Sequence, residues 1–182
     1  PSSPIASFPL PCGEEASSVA CCNDSAVVLS STGRVFSSVV EEGSSSLSFS
    51  AVVELSGLEI VCLSGVREHC LCVSSEGRVF GRGSNSRGRL GLGEGSGFVS
   101  SFTEISSLPG YEMRAAYAGG LHSLFETREG KSFLVDATIA ASSSSAVVQV
   151  TMFIHQLKQR SQVALHSALQ EEICQQFLLV FS

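Results

Sequence analysis

The chain has 182 residues, of which 43% are hydrophobic and 15% are charged, and its formal net charge is −6. The hydrophobic fraction excludes global disorder, and the length allows one sizeable core with an appendage. A negative net charge argues against the broad basic surface that attracts nucleic acids, so we expect no direct nucleic-acid binding.

We expect neither a secretory signal nor a membrane span in this sequence. Its first residues lack a basic segment followed by an apolar core, and no stretch reaches the roughly 20 apolar residues that span a bilayer. The seven cysteines form no C-x-x-C pair, and several lie in apolar, strand-like runs. Cysteine there behaves as a small hydrophobic residue, so we expect reduced thiols, a cytoplasmic or nuclear location and no membrane partner.

The first unit follows a leading segment rich in proline and serine. Residues 1–17 are predicted to be a flexible N-terminal segment. From residue 18 to residue 36 the pattern predicts a strand, a turn and a second strand. Gly33 suits a hairpin position with positive φ, which costs glycine little.

The second unit has the clearest pattern. Residues 59–63 and 69–73 are predicted strands, and a turn that ends at Gly77 leads into another strand at residues 78–80. The glycines between Gly81 and Gly93 are so closely spaced that they predict a tightly wound loop with several left-handed residues, not a regular strand.

The third unit has predicted strands at residues 113–118 and 122–125, followed by a turn that ends at Gly130. Beyond residue 135 the pattern changes. Residues 136–146 are predicted to be a serine-rich linker. In residues 147–182, apolar positions recur at spacings of three and four, which predicts a C-terminal amphipathic helix.

One phrase occurs in all three units. Residues 29–36 return almost letter for letter as residues 73–80, and a looser copy occupies residues 126–133. The turn glycines Gly33, Gly77 and Gly130 are 44 and then 53 residues apart. Self-similarity at a period of about 40–50 residues is typical of propeller blades, which usually provide binding surfaces.

The second unit resembles the repeat of the regulator of chromosome condensation (RCC1) family. The resemblance rests on Gly65, His69, Gly77, Gly83, Asn85, Gly88, Leu90, Gly91 and Gly93. The third unit matches at Gly119, Gly120, His122 and Gly130, and the first unit retains Gly33. The resemblance covers roughly residues 18–133 and implies an all-β fold, with RCC1-like repeat blades over residues 18–135 that form an incomplete β-propeller of two to three blades.

The departures from the family pattern are also informative. The chain has no tryptophan. Arg82 stands where the family usually has tryptophan, and Arg89 stands where it usually has glutamine. An incomplete ring leaves two blade faces bare. Four alternatives follow: a fragment of a longer propeller, a face covered by the C-terminal helix, self-association through bare faces, or a degenerate copy without independent function.

The resemblance implies a protein-protein interaction module. It further implies guanine-nucleotide exchange on a small GTPase and association with chromatin, with no covalent chemistry, catalytic residue or cofactor. The alternative is a nucleotide-binding hydrolase that uses the G-x-x-x-x-G frame from Gly83 to Gly88. Arg89 and Leu90 follow that frame, whereas a phosphate-binding loop needs lysine and then serine or threonine.

Two further sets of residues are candidates for sites. His69 and His122 hold equivalent positions in their repeats, and we expect structural hydrogen bonds there and not a metal, because zinc sites need four suitably spaced ligands. Arg82, Arg87 and Arg89 form the basic cluster of the chain. The cluster predicts either a contact with an acidic partner or a solvated loop.

Overall fold

The computed structural model describes residues 9–23, 25–40, 47–92, 97–108, 110–135 and 147–149. Short 3-10 helices lie at Pro11–Gly13, Val53–Leu55 and Ser86–Gly88. The strands in these ranges are β1 (Ala16–Cys22), β2 (Ser25–Ser30), β3 (Val35–Val40), β4 (Leu47–Ala51), β5 (Ile60–Val66), β6 (His69–Ser74), β7 (Val79–Ser84), β8 (Phe98–Glu104), β9 (Met113–Ala118), β10 (Ser123–Thr127), β11 (Ser132–Val135) and β12 (Val147–Gln149).

The strands form three antiparallel sheets of four strands each. Their orders are β1-β2-β3-β4, β5-β6-β7-β8 and β9-β10-β11-β12, so each sheet takes its strands in chain order. We call the sheets blades 1, 2 and 3. The inner strands β1, β5 and β9 pack beside one another, which stacks the blades face to face. The predicted all-β class is confirmed.

Apolar side chains fill the space between neighbouring blades. One cluster joins blades 1 and 2 and includes Val27, Ile60 and Phe80. A second joins blades 2 and 3 and includes Leu71 and Phe125. Alternate residues of a strand point to opposite faces of the sheet. A strand in the interior of a blade therefore supplies apolar side chains to both faces of that blade. The outer face of blade 1 carries a smaller cluster of Leu10, Val28 and Phe36, with Phe49 packed against it.

The glycine-rich segment differs from its prediction. Residues 81–84 belong to β7, and the loop begins only at Asn85. Gly83 pairs with His69 across the sheet, and a Cβ on Gly83 would lie 2.1 Å from the carbonyl oxygen of Glu68. Glycine therefore permits a close backbone approach within this strand instead of ending it.

The ends of the chain also differ from their predictions. The predicted flexible segment contains the Pro11–Gly13 helix, and β1 begins at Ala16, before the expected boundary at residue 18. Val147–Gln149 pair with β11 as a strand, so the predicted helix is wrong for these residues. Three predicted features lie outside the described residues: Gly93, the linker at residues 136–146, and the part of the helix from residue 150 onward. In the part of the chain that the structure describes, no helix is long and apolar enough to cross a membrane.

Candidate interaction surface

The repeated phrase folds into the same turn in all three blades. The turn glycine has φ near 80° in each case, a conformation that favours glycine. Its N–H donates a hydrogen bond to the backbone carbonyl of the residue three positions earlier. The φ values are 81° at Gly33, 81° at Gly77 and 85° at Gly130. The hydroxyl groups of Ser30, Ser74 and Thr127 accept a hydrogen bond from the N–H of Arg34, Arg78 and Lys131 at 3.1, 3.2 and 3.0 Å.

Each turn glycine also contacts the next blade where the structure describes one. The N–H of Ile60 donates to the carbonyl of Gly33 at 2.9 Å, and the N–H of Met113 donates to that of Gly77 at 3.0 Å. The backbone approach is close, because a Cβ on Gly77 would lie 2.8 Å from the Cα of Glu112. These contacts set the position of each inner strand against the preceding turn.

A row of exposed glutamates follows from this arrangement. Glu15, Glu59 and Glu112 each stand directly before an inner strand, and all three are exposed. Their carbonyl groups accept hydrogen bonds from the turn of their own blade, at 2.8, 2.7 and 3.0 Å respectively. We call these three residues the glutamate row, and the end of the blades that carries them and the turn glycines the turn end.

Basic residues alternate with further acids at the turn end. Arg34, Arg78 and Lys131 follow the turn glycines in equivalent positions. Their cationic groups lie over aromatic rings, at 5.2 Å from Phe36, 5.1 Å from Phe80 and 5.2 Å from Tyr111. They also pair with Glu14 at 2.5 Å, with Glu104 at 2.6 Å and with Glu129 at 3.1 Å.

Two carboxylates of the turn end, those of Glu14 and Glu104, are stabilised in their ionised form. Hydrogen bonds from Arg78 lower the pKa of Glu104. Hydrogen bonds from Ser30 and then Thr32 lower the pKa of Glu14, with Arg34 adding to the effect. The turn end is therefore a mixed surface in which the inner row is acidic.

The repeat histidine of the second unit lies inside the molecule. His69 is fully buried, and its Nε2 is 3.0 Å from the hydroxyl of Ser123, which donates to the carbonyl of Arg89 at 2.7 Å. Nε2 is therefore the protonated nitrogen, since the hydroxyl proton is used on Arg89. Burial first, and then the nearby positive charge of Arg89, lower the pKa of His69 to about 4. His69 thus links blade 2 to blade 3 as a neutral group.

The loop after β7 is held by its own polar side chains. The Oδ1 of Asn85 accepts the N–H of Leu90 at 2.9 Å, and Leu90 is fully buried. Gly88 and Gly91 have φ of 64° and 72° and make the bends that bring Leu90 inward. The predicted left-handed residues are present within the described part of this loop.

The arginines of the predicted basic cluster do not form one exposed patch. Arg89 is buried, and its guanidinium donates to Glu68 at 2.8 Å and to the carbonyl of Gly120 at 3.1 Å. Arg82 is half-buried and donates to Ser25 at 2.9 Å and Ser37 at 3.3 Å. Arg82 therefore joins blade 2 to blade 1, and Arg89 joins its loop to the turns that contain Glu68 and Gly120. The side chain of Arg87 lies outside what the structure describes.

The other glycines of the predicted motif also pack within the fold. A Cβ on Gly65 would lie 2.7 Å from the sulfur of Cys70. The N–H of Gly119 donates to the carbonyl of His122 at 2.9 Å and closes the turn between β9 and β10. The motif residues thus serve contacts within and between blades.

Sequence reasoning missed the glutamate row. A signal for it was available, because Glu15, Glu59 and Glu112 each precede the turn glycine of their unit by 18 residues. An exposed residue at a fixed offset from a repeated turn must lie on the same end of every blade. The offset alone could have located the row.

Parts of this chain are similar to known proteins. No family model matches the chain. The E3 ubiquitin-protein ligase HERC2 of Mus musculus is 37% identical over 81 residues, covering 43% of this chain and 2% of that protein. The probable E3 ubiquitin-protein ligase HERC6 of Homo sapiens is 34% identical over 82 residues, covering 45% of this chain and 8% of that protein. The chain thus spans less than a tenth of the length of these relatives.

Solved structures share the fold. Human WBSCR16 matches with a TM-score of 0.58 and 23% identity, over 68% of this chain and 33% of that one. The structure of Prp20p from Saccharomyces cerevisiae matches with a TM-score of 0.59 and 12% identity, over 78% of this chain and 40% of that one. Yeast RCC1 (Prp20) in complex with Kap60 matches with a TM-score of 0.55 and 18% identity, over 68% of this chain and 30% of that one. The repeated turns, the three stacked blades and these similarities agree with the predicted resemblance to the RCC1-repeat family.

Proposed function

We propose that this chain is a protein-protein interaction module that binds its partner through the turn end. The observation that carries the proposal is the glutamate row, in which three stacked blades present the same exposed acid at the same place. The motif residues of the interior are occupied in holding the blades together. The exposed turns are therefore available to contact another molecule.

The chemistry of the turn end suggests the partner. Exposed carboxylates that repeat from blade to blade are complementary to a basic protein surface, and such pairing raises association rates and favours one partner over another. Prp20p, which shares this fold, has binding properties towards Gsp1p and histones. We propose a small GTPase as the partner class and guanine-nucleotide exchange as the activity, which would need no covalent chemistry and no cofactor.

The alternative of a nucleotide-binding hydrolase is less well supported. A phosphate-binding loop needs free backbone N–H groups that converge on the phosphates. In the frame from Gly83 to Gly88, the N–H of Gly88 donates to the carbonyl of Asn85 at 2.8 Å, and that of Ser84 donates to Glu68 at 2.7 Å. The carbonyl of Glu68 also occupies the space beside Gly83.

A binding measurement with charge-reversal variants tests the proposal. The triple variant Glu15→Lys, Glu59→Lys, Glu112→Lys should bind immobilised Gsp1p or histones at least about tenfold more weakly, because it replaces attraction with repulsion. Wild-type binding should weaken with added salt, since exposed charges are screened. Leu121→Lys is the matched control: Leu121 is 42% exposed and lies at the opposite end of the blades.

Two measurements test the contact surface and the exchange activity independently. Equal binding by the triple variant and the wild type would refute the turn end as the contact surface, provided that circular dichroism shows both to be folded. Exchange is measured separately, as the release of a fluorescent GDP analogue from Gsp1p. Binding without accelerated release would retain the interaction module and reject the exchange activity.

A further inference from the structure

Blade 3 has an outer face that points away from blade 2. The cross-strand register pairs Leu124 with Tyr117 of β9 and with Leu134 of β11, so these three side chains share one face of the sheet. Phe125, the next residue along β10, belongs to the cluster that joins blades 2 and 3. Leu124, Tyr117 and Leu134 therefore lie on the outer face.

The middle of this outer face is buried. Leu134 is 5% exposed, Glu126 is 4% exposed and Ser132 is 3% exposed. Glu126 and Ser132 pair with each other two positions away from Leu124 and Leu134, so they lie on the same face. Blade 2 cannot supply the cover, because β5 and β6 pack against the opposite face of blade 3.

The outer face of blade 1 provides a contrast within the same molecule. Val19 pairs with Val28, which lies in the small cluster on that face, and Val19 is 66% exposed. An antiparallel sheet with one face in water leaves side chains exposed in this way. Leu134 is also apolar but has lost nearly all of its exposure, so its burial requires a cover that Val19 lacks.

The burial on blade 3 is deepest on the side of β12. This strand pairs with β11, which carries Leu134 and Ser132. Towards β9, at the other edge of the sheet, the surface opens. Arg114 of β9 pairs with Glu126 at 2.7 Å, and the side chain of Arg114 is 52% exposed. The cover therefore approaches from β12, where the chain continues with residue 150.

The sequence that follows β12 is suited to be this cover. Only four of the 33 residues from 150 to 182 are charged. The segment is joined directly to β12, so its local concentration at the outer face is far higher than that of a separate molecule. Large apolar residues occur along the length of the segment, among them Phe153, Ile154, Leu157, Leu165, Ile173 and Phe177.

We propose that residues 150–182 pack on the outer face of blade 3 and close the stack of blades at that end. Removal of apolar area from water around Leu134 is the driving force. Terminal units of a stacked array need a cap, because an uncovered apolar face associates with other molecules. The segment thus prevents blade 3 from binding a second copy of the chain.

Photo-cross-linking of the full chain tests the proposal. Leu124 is replaced by p-benzoyl-L-phenylalanine, the folded protein is irradiated, and tryptic peptides are mapped by mass spectrometry. The peptide 115–128 should be joined to residues 150–182. A link to the peptide 161–182 is diagnostic, because that peptide contains no strand of blade 3. The same replacement at Val53, which is 75% exposed and lies between β4 and β5, is the matched control and should give no such link.

Two results of this measurement would overturn the proposal. A link that joins two molecules, seen as a product of doubled mass whose yield rises with protein concentration, would show that a second copy covers the face. The absence of any link from position 124 to residues 150–182 would show that the segment does not lie there.

A substitution on the face provides a second test, which does not depend on the photoreactive residue. Leu134→Asp places a carboxylate under the cover, where it cannot be solvated, so the segment should be released. Trypsin should then cleave after Lys158 and Arg160 at least about tenfold faster than in the wild type. Val53→Asp is the control and should leave the cleavage rate unchanged.

Circular dichroism establishes that both variants are folded, and Leu134→Ser replaces Leu134→Asp if the latter does not fold. Equal cleavage rates in the folded variant and the wild type would show that the segment is held elsewhere, which would contradict the proposal.

Discussion

His69 shows how one side chain couples two blades and makes that coupling sensitive to pH. The residue is fully buried, and its contacts run through Ser123 to the backbone of Arg89. Its Nδ1 has no hydrogen-bond partner among the described residues. Protonation would place a positive charge near the guanidinium of Arg89 in a region that cannot solvate it.

We therefore predict that the protein loses stability as the pH falls. Burial lowers the pKa of His69 from the ordinary value of 6.5 to about 4 in the folded state. The stabilisation from neutral His69 is fully present above pH 6.5 and is lost progressively as the pH falls from 6.5 towards 4, because only the unfolded state accepts the proton readily there. The loss should approach about 3 kcal/mol, measured by urea unfolding across this range.

The variant His69→Gln provides the control. Glutamine keeps a side-chain donor for Ser123 but does not titrate, so its unfolding free energy should change less between pH 6.5 and pH 4. A variant with the same pH slope as the wild type would assign the acid sensitivity to other groups.

The environment of Arg89 could not have been predicted from the sequence. The repeat pattern places Arg89 in a glycine-rich loop next to two other arginines, which suggests a solvated basic cluster. Its partners Glu68 and Gly120 are 21 and 31 residues away along the chain. No periodicity links these positions, so the burial of Arg89 follows only from how the blades stack.

At the scale of elements, the turn glycines combine a backbone requirement with a packing requirement. Gly77 and Gly130 share a positive φ, so any side chain there is strained. They differ in their surroundings. A Cβ on Gly77 would press on the backbone of Glu112 and Met113, whereas a Cβ on Gly130 would meet nothing within 4 Å.

We predict that Gly77→Ala destabilises the protein more than Gly130→Ala. Gly130→Ala should cost about 1–2 kcal/mol from the left-handed backbone alone. Gly77→Ala should cost a further 1–3 kcal/mol or so, because blade 3 must shift to admit the methyl group. Urea unfolding of both variants measures the difference. Equal losses would show that the contact between this turn and blade 3 contributes little.

The glycine-rich segment shows where element prediction from the sequence fails. Closely spaced glycines usually indicate a loop, and from Asn85 onward that expectation agrees with the structure. Gly81 and Gly83 nevertheless lie in β7, because the strand passes within close reach of Leu90 on one side and of Glu68 on the other. Glycine is the same letter in both roles, so only the neighbouring strands distinguish them.

At the scale of the whole molecule, the sequence predicts that the repeated units form stacked blades, but it does not predict which residues complete the last blade. The near-identical residues 29–36 and 73–80 predict repeated units, and each unit forms one blade. The apolar spacing of the residues from 147 onward predicts a helix. Val147–Gln149 instead complete blade 3, because an unpaired edge of β11 offers backbone groups that a strand satisfies.

The position of a blade in the stack should determine how much its core side chains contribute to the free energy of unfolding. Leu71 and Leu124 are equivalent, since each lies three residues before the residue that opens the turn, Ser74 or Thr127. Leu71 is fully buried in the cluster that joins blades 2 and 3. Phe125 belongs to that same cluster, so the neighbouring Leu124 points to the opposite face of blade 3, where it is only half-buried.

We predict that Leu71→Ala destabilises the protein by about 2–5 kcal/mol, because it leaves a cavity between two packed blades. Leu124→Ala should cost about 1 kcal/mol, since less apolar surface is removed from water at that position. Urea unfolding at pH 7 measures both, and the slope with denaturant shows whether the blades still unfold together. Equal losses would mean that the outer face of blade 3 is packed as tightly as the interface between blades 2 and 3. That result would contradict the unequal contributions expected of a stack in which each blade is stabilised mainly by its neighbours.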